Sequence, residues 1–233
     1  MLERAFADCF ERIELSGRHF VRALLIGCPD PLWSSRINPL ARAVDRYDPG
    51  ELFARRSDGA ILIEDAWLPP EQAFDLVISI GTLDTVNDLP LALRLIRHAM
   101  AGDGLFIGAF SGGDTLPQLR NAMREADRIS QAAVPHVHPR IEAAAVAPLL
   151  EQAGFVRPVV DLDRVPVSYR SLDRLVGDLR GMAATNLLVA RPRFLSRAAR
   201  AAAAQAFRNA GDGERTLETF EIIHFAAWTA AEK

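Results

Sequence analysis

A chain of 233 residues that is 49% hydrophobic and 24% charged has enough apolar material for a full core, and predicts one globular domain of generous size. Its net charge of −3 argues against nucleic acid as the main partner, because phosphate binding needs a concentrated basic surface. No run approaches the roughly 18 apolar residues of a membrane span, and Glu3, Arg4, Asp8, Glu11 and Arg12 interrupt the first segment, so neither a transmembrane helix nor a signal peptide is expected. Two cysteines, Cys9 and Cys28, stand outside any CxxC or Cys/His cluster and read as reduced thiols in a cytoplasmic protein.

The chain opens on an amphipathic helix, with Leu2, Phe6, Cys9, Phe10 and Ile13 on one face. "VRALLIG", 21–27, reads as a buried parallel strand ending in glycine. "RAVD", 42–45, is a weaker second strand, and "AILIEDA", 60–66, a third that ends in Glu64 and Asp65. "FDLVISIGTL", 74–83, is the clearest strand. A helix over 88–100 follows, with Asp88 as cap, Pro90 in the first turn and Gly102 as stop. "GLFIGAFSGG", 104–113, is the fifth strand. A helix over 114–129 is expected to be capped by Asp114 or Thr115, with Pro117 in its first turn. Another runs over 140–154 to Gly154. Pro158 and Pro166 mark "FVRPVVDLDRVPVSY", 155–169, as edge strand. Helices over 171–182 and 194–208 and a strand over 219–230 complete the chain.

Strands alternating with helices predict an α/β fold: a mostly parallel sheet with helices on both faces. Ligands in such sheets bind beyond the carboxyl ends of the strands, near the point where strand order reverses. The residues of interest are therefore those after each strand: Gly27 to Pro31, Asp45, Glu64 to Ala66, Ile80 to Asp84, and Ser111 to Asp114.

"DAWLPPEQAFDLVIS" and "LPLALRLIRHAMAGDGLFIGAFSGGDTLPQLR" resemble the third-strand acidic turn, fourth strand, helix and fifth strand of the Rossmann-like class I S-adenosylmethionine-dependent methyltransferases. "TVNDLPLALRLIRHAM", "GGDTLPQLR", "PHVHP", "SLDRLVGDLRGMAATN" and "ETFEIIHFAAW" are similar, more narrowly, to the methyltransferase-like assembly factors of respiratory complex I. They are also similar to that group's bacterial relatives near the malonyl-carrier-protein methyltransferase of biotin synthesis. The resemblance spans the chain. It implies a single methyltransferase-like domain over 1–233, with a helical addition at about 165–215. It also implies S-adenosyl-L-methionine as cofactor and a protein acceptor or assembly partner. The assembly-factor group is linked with arginine hydroxylation, so the modification is not fixed as methyl transfer.

Carried onto this chain, the resemblance implies a cofactor site of Gly27 and Cys28 in the first loop, Asp45 after strand two for the ribose, Asp65 for the adenine with the amide of Ala66, and Ile80 beneath the methionine end. Asp84, Gly112, Gly113 and Asp114 would line the substrate pocket. The family's first loop is acidic–x–Gly–x–Gly–x–Gly; here Leu25, Gly27, Pro29 and Pro31 stand at those four positions, and only Gly27 matches. Proline lacks an N–H and fixes φ near −65°, so the turn is stiff and donor-poor. Two readings stay open: a methyltransferase-like enzyme with an altered loop, or a fold that has lost its cofactor and acts as an interaction or assembly factor. No metal is expected: His136 and His138 form "HVH" without a third ligand nearby. No catalytic base is recognisable, and no G-x-S-x-G elbow or P-loop occurs.

Overall fold

The protein is seen in a computed structural model that describes residues 1–131, 136, 139–182, 184 and 194–231. His138 and Asn186 of the expected motifs lie outside the described residues. The elements in chain order are α1 (Leu2–Leu15), β1 (Phe20–Ile26), α2 (Leu32–Ile37), β2 (Ala41–Asp48), α3 (Glu51–Arg56), β3 (Ala60–Ile61), β4 (Phe74–Ile80), α4 (Leu89–Ala99), β5 (Met100–Ser111), α5 (Pro117–Ser130), α6 (Ala143–Gln152), β6 (Val156–Tyr169), α7 (Leu172–Gly181), α8 (Arg197–Asn209) and β7 (Thr216–Trp228). The seven strands form one sheet in the order β3-β2-β1-β4-β5-β7-β6. β1 to β5 run parallel and β7 runs antiparallel to β5. Strand order reverses between β1 and β4, which are adjacent in the sheet and register from Ala23↔Leu76 to Ile26↔Ser79.

Two compact units divide the chain: Met1–Gly112 with Ile141–Asp163 and Ile222–Lys233, and Gly113–Arg140 with Arg164–Glu221. In the first, the central strands read as continuous apolar runs because both faces are covered; Ala23, Leu24, Leu25 and Ile26 of β1 and Leu76, Val77 and Ile78 of β4 are fully buried. One face meets α4 and α6, with Leu93, Ile96, Val146 and Leu150 packed around Phe106, Phe110 and Phe225. Helix α1 buries Phe6, Cys9 and Ile13. Phe6 stacks on Trp33 of α2 with ring centroids 4.3 Å apart and planes 2° from parallel. Burying three such side chains contributes roughly 5–8 kcal/mol. β6, with Pro158 and Pro166, lies at one edge of the sheet, where strand prolines are tolerated.

In the second unit α5 packs on α8. Ala122 and Ala126 face inward from α5, and Ala199 and Ala203 from α8, so four small side chains let the helices approach closely. This packing gives Ala199 and Ala203 of the alanine-rich α8 their place. The expected cap of α5 is corrected: neither Asp114 nor Thr115 caps it. The N-cap residue is Leu116, in left-handed geometry, and the carboxylate comes from the other end of the chain. Glu218 on β7, fully buried, accepts from the amides of Gln118 (3.1 Å) and Leu119 (2.9 Å). A buried carboxylate at a helix N-terminus satisfies two orphan donors and meets the positive end of the macrodipole.

Other boundaries also move. β2 runs to Asp48 rather than stopping at Asp45, and β3 keeps only two of its seven expected residues. Helices α2 and α3, six residues each, lie in stretches the sequence left unassigned.

Candidate functional site at the strand tips

Gly27 follows β1 with φ +78°, and its amide donates to the Tyr47 carbonyl at 2.9 Å. A Cβ there would stand 2.2 Å from the Ile80 carbonyl oxygen and 2.8 Å from Thr82 Cγ2. Glycine is therefore demanded by the chain itself: the tips of β1 and β4 close on each other, and the missing side chain leaves no cradle for a ligand. Ile80 ends β4, fully buried, and meets Gly27 through its backbone oxygen.

The next amide, of Cys28, donates to Asp48 Oδ2 at 3.0 Å, and Gly50 donates to Asp48 Oδ1 at 2.7 Å. Asp48 thus ties the first loop to the turn after β2. Burial raises its carboxyl above the ordinary aspartate range, and the amides of Gly50 and Cys28 work against that shift. The Cys28 thiol is likewise pushed up by burial, to about 11, so it stays protonated at neutral pH. Asp30, between the two prolines, turns back on its own loop: Oδ1 accepts from Leu32 (2.9 Å), and its carbonyl accepts from Trp33 (3.1 Å) and from the Cys28 thiol (3.3 Å).

Asp45 lies within β2, paired with Leu24 of β1, and its carboxylate meets Arg22 at 2.7 Å. The carboxylate after strand two is Asp48, three residues on. Hydrophobicity hides this extension, because Arg46 and Tyr47 break the apolar run and Asp-Pro-Gly reads as an ordinary turn. Asp65 is half-buried after β3 and accepts from the amide of Asp88 at 3.0 Å, which links it to the start of α4. The Ala66 amide is spent on the Ile63 carbonyl at 3.0 Å.

Glu64 stands among the strand-tip residues of interest, yet the resemblance gives it no part in the cofactor site. It is 2% exposed, and its Oε1 has no hydrogen-bond partner. Burial raises its carboxyl above the ordinary glutamate range, offset by a hydrogen bond with Thr82; Asp48 and Asp65 are close enough to push it further up. Leu62 and Glu64 are buried while Ile63 is exposed, but Ile61, Leu62 and Ile63 are alike apolar, so no alternation in the sequence marks Glu64 as inward.

Asp84, in a single 3-10 turn after β4, is half-buried. Gly112 ends the first unit and bridges to Ile141. Gly113 and Asp114 begin the second unit, where Asp114 meets Arg164 at 3.4 Å and Arg164 also meets the buried Glu221 at 3.0 Å. His136 lies 2.7 Å from Asp127. Among the described residues no group of three or more His, Cys, Asp or Glu could hold a metal.

S-adenosylmethionine needs acceptors for its ribose and adenine amine, and donors for its terminal carboxylate. Asp48, Glu64 and Asp65 fit the first need. The first loop meets the second need with few amides: those of Gly27, Cys28, Leu32 and Trp33 are engaged within the chain and Pro29 and Pro31 have none, while Arg46 Nε is a buried donor without a hydrogen-bond partner. The carboxylates suit the nucleoside end of that cofactor, and the first loop offers its terminal carboxylate little.

The 3-2-1-4-5-7-6 order with β7 antiparallel to β5, and acidic groups gathered at the β1/β4 reversal, define a class I methyltransferase fold. Solved structures agree: the YcgJ protein of Bacillus subtilis superposes with a TM-score of 0.67 at 11% identity, covering 97% of this chain and 100% of that one. A putative methyltransferase from Bacillus halodurans superposes with a TM-score of 0.62 at 9% identity, covering 96% and 100%. No protein-family model matches the chain. The mitochondrial arginine-hydroxylase NDUFAF5 of Rattus norvegicus is 37% identical over 172 residues, 72% of this chain and 50% of the relative. The malonyl-[acyl-carrier protein] O-methyltransferase of Xylella fastidiosa is 33% identical over 175 residues, 72% and 57%. The chain belongs to the class I methyltransferase superfamily, and these two groups are its relatives within it. It spans about half the length of the NDUFAF5 proteins it matches.

Proposed function

We propose that this protein binds an S-adenosyl compound at the tips of β1 to β4 and acts on a protein within the cytoplasm, either as a modifying enzyme, in line with the name arginine-hydroxylase that its NDUFAF5 relatives carry, or as an assembly factor. The observation that carries the reading is the acceptor set of buried Asp48 and Glu64 and half-buried Asp65 at the reversal of strand order. No metal takes part in it. A second reading, a cofactor-free interaction protein, is favoured by one feature: the engaged amides of the first loop.

Calorimetric titration of the full chain with S-adenosylmethionine and S-adenosylhomocysteine separates the two. The enzyme-like reading expects micromolar binding that weakens at least 10-fold in Asp48→Asn and survives Asp45→Asn, with thermal melts confirming that both variants fold. Silence at millimolar ligand would leave the interaction protein standing.

A further inference from the structure

The sheet ends in β3 on one side and β6 on the other, and the sequence treats these two edges differently. β6 carries Pro158, Pro166, Asp161, Asp163 and Arg164, residues that discourage another strand from adding to it. The stretch 60–63 around β3 is Ala-Ile-Leu-Ile, without proline or charge. An apolar edge left open is a template for a further strand.

The outer side of β3 is open in both backbone and side chain. Leu62 donates to the Asp48 carbonyl of β2 at 3.3 Å. Backbone groups alternate in direction along a strand, so the N–H groups of Ile61 and Ile63 point away from β2, toward the open edge. Side chains alternate between faces as well. Leu62 is buried in the core with Leu93 and Ile96 of α4, whereas Ile61 and Ile63 are 56% and 57% exposed on the opposite face. Right-handed crossovers place α3 on that same face, opposite α4. There α3 packs against β2 and β3, and its Leu52 is 68% exposed. Three large apolar side chains thus border one unpaired edge.

We infer that this edge is an interface between two copies of the chain, related by a two-fold axis at Leu62 that pairs β3 antiparallel with its copy and joins the two sheets into one. A second copy fits because the edge complements itself. With Leu62 on the axis, Ile61 of each chain lies opposite Ile63 of the other, and each pair can exchange the backbone groups that point outward. The same axis lays α3 antiparallel to its copy. α3 is acidic at its start and basic at its end, with Glu51 followed by Arg55 and Arg56. Antiparallel alignment turns Glu51 of one helix toward the arginines of the other and opposes the two helix dipoles; parallel alignment would bring like charges together. Arg55 meets Glu51 within its own helix, and Arg56 has no ion-pair partner among the described residues. The surface lies outside the strand-tip site and does not depend on any cofactor being bound there.

Sedimentation velocity of the full 25.6-kDa chain over a range of concentrations tests this. A short edge and a short helix make a small interface, so the wild type is expected to pass reversibly from monomer to dimer with a Kd of roughly 1–100 μM. Ile63→Lys sets a charge on the edge at an exposed position. It should hold the chain monomeric throughout while its melting temperature stays near that of the wild type; if it does not fold, Ile61→Lys reads the same edge. Leu162→Lys, at an exposed position on β6, should dimerise like the wild type. Glu51→Arg should weaken the dimer about 10-fold, the worth of one ion pair across an interface, and combining it with Arg55→Glu and Arg56→Glu should restore it. A wild type that stays monomeric at millimolar concentration would overturn the inference and leave the edge to a different protein. A dimer indifferent to both lysine variants on β3, or one abolished by Leu162→Lys, would overturn it by placing the interface elsewhere.

Discussion

Replacing Gly27 by alanine tests whether the first loop is shaped by the chain's own backbone. Two costs are separable. Alanine at φ +78° enters the left-handed region, at about 1–2 kcal/mol. Its Cβ would then stand 2.2 Å from the Ile80 carbonyl oxygen, well inside van der Waals contact, and the oxygen belongs to a central strand that cannot swing aside. Overpacking of this kind costs roughly 1–3 kcal/mol. The sum is about 2–5 kcal/mol, a large part of the 5–15 kcal/mol that holds a typical domain together. Gly17 supplies the control: its φ is +65°, and a Cβ there meets nothing within 4 Å, so Gly17→Ala carries the conformational cost alone. Urea unfolding followed by far-UV circular dichroism of both variants should place Gly27→Ala about 2 kcal/mol below Gly17→Ala. Equal losses would show that the tips of β1 and β4 can part, and the description of a crevice closed on itself would be wrong.

Glu218→Ala should cost about 3 kcal/mol in the same assay, because the amides of Gln118 and Leu119 lose a charged acceptor in a buried setting; a loss below 1 kcal/mol would mean that water replaces the carboxylate. Glu64→Gln should gain stability over the wild type as pH rises. Burial lifts the Glu64 carboxyl, so its stabilising protonated form is complete below about pH 4.3 and is lost as pH climbs through the raised value. Parallel thermal melts at pH 4.5 and 7.5 read the difference. His224 has the opposite sign. Burial lowers it despite Asp8, Asp161 and Asp163, with Arg12 adding to the lowering, and its Nδ1 lies 2.9 Å from Asp8 Oδ2 without hydrogen-bond alignment. The neutral ring's contribution is full above about pH 6.5 and falls away in acid. His224→Gln should therefore flatten the decline in melting temperature between pH 7 and 5; an unchanged slope would assign that decline elsewhere. Asp88→Ala should cost about 1 kcal/mol by uncapping Leu91 at the start of α4.

The sequence by itself determined the elements whose signal is local. The apolar runs of β1, β4 and β5 and the capped start of α4 follow from periodicity and turn chemistry, and each element lies within a few residues of its expected place. The prolines of β6 announced an edge strand. From these came the α/β class, and the chain's motifs carried the resemblance to the methyltransferases. Tertiary structure decided what depends on partners distant in the chain. Which of Asp45 and Asp48 stands at the end of β2 is set by pairing with β1 as far as Tyr47 and with β3 at Asp48, not by the composition of either residue's neighbours. The cap of α5 could not be read near α5, because it is supplied by Glu218 about 100 residues later. Glu64 and Asp65 are adjacent and chemically alike, yet one is buried with an open acceptor and the other is half-buried against the start of α4. Backbone propensity acts over a few residues; burial, repulsion between carboxylates and the fate of each amide are fixed only when strands far apart in sequence come to lie side by side.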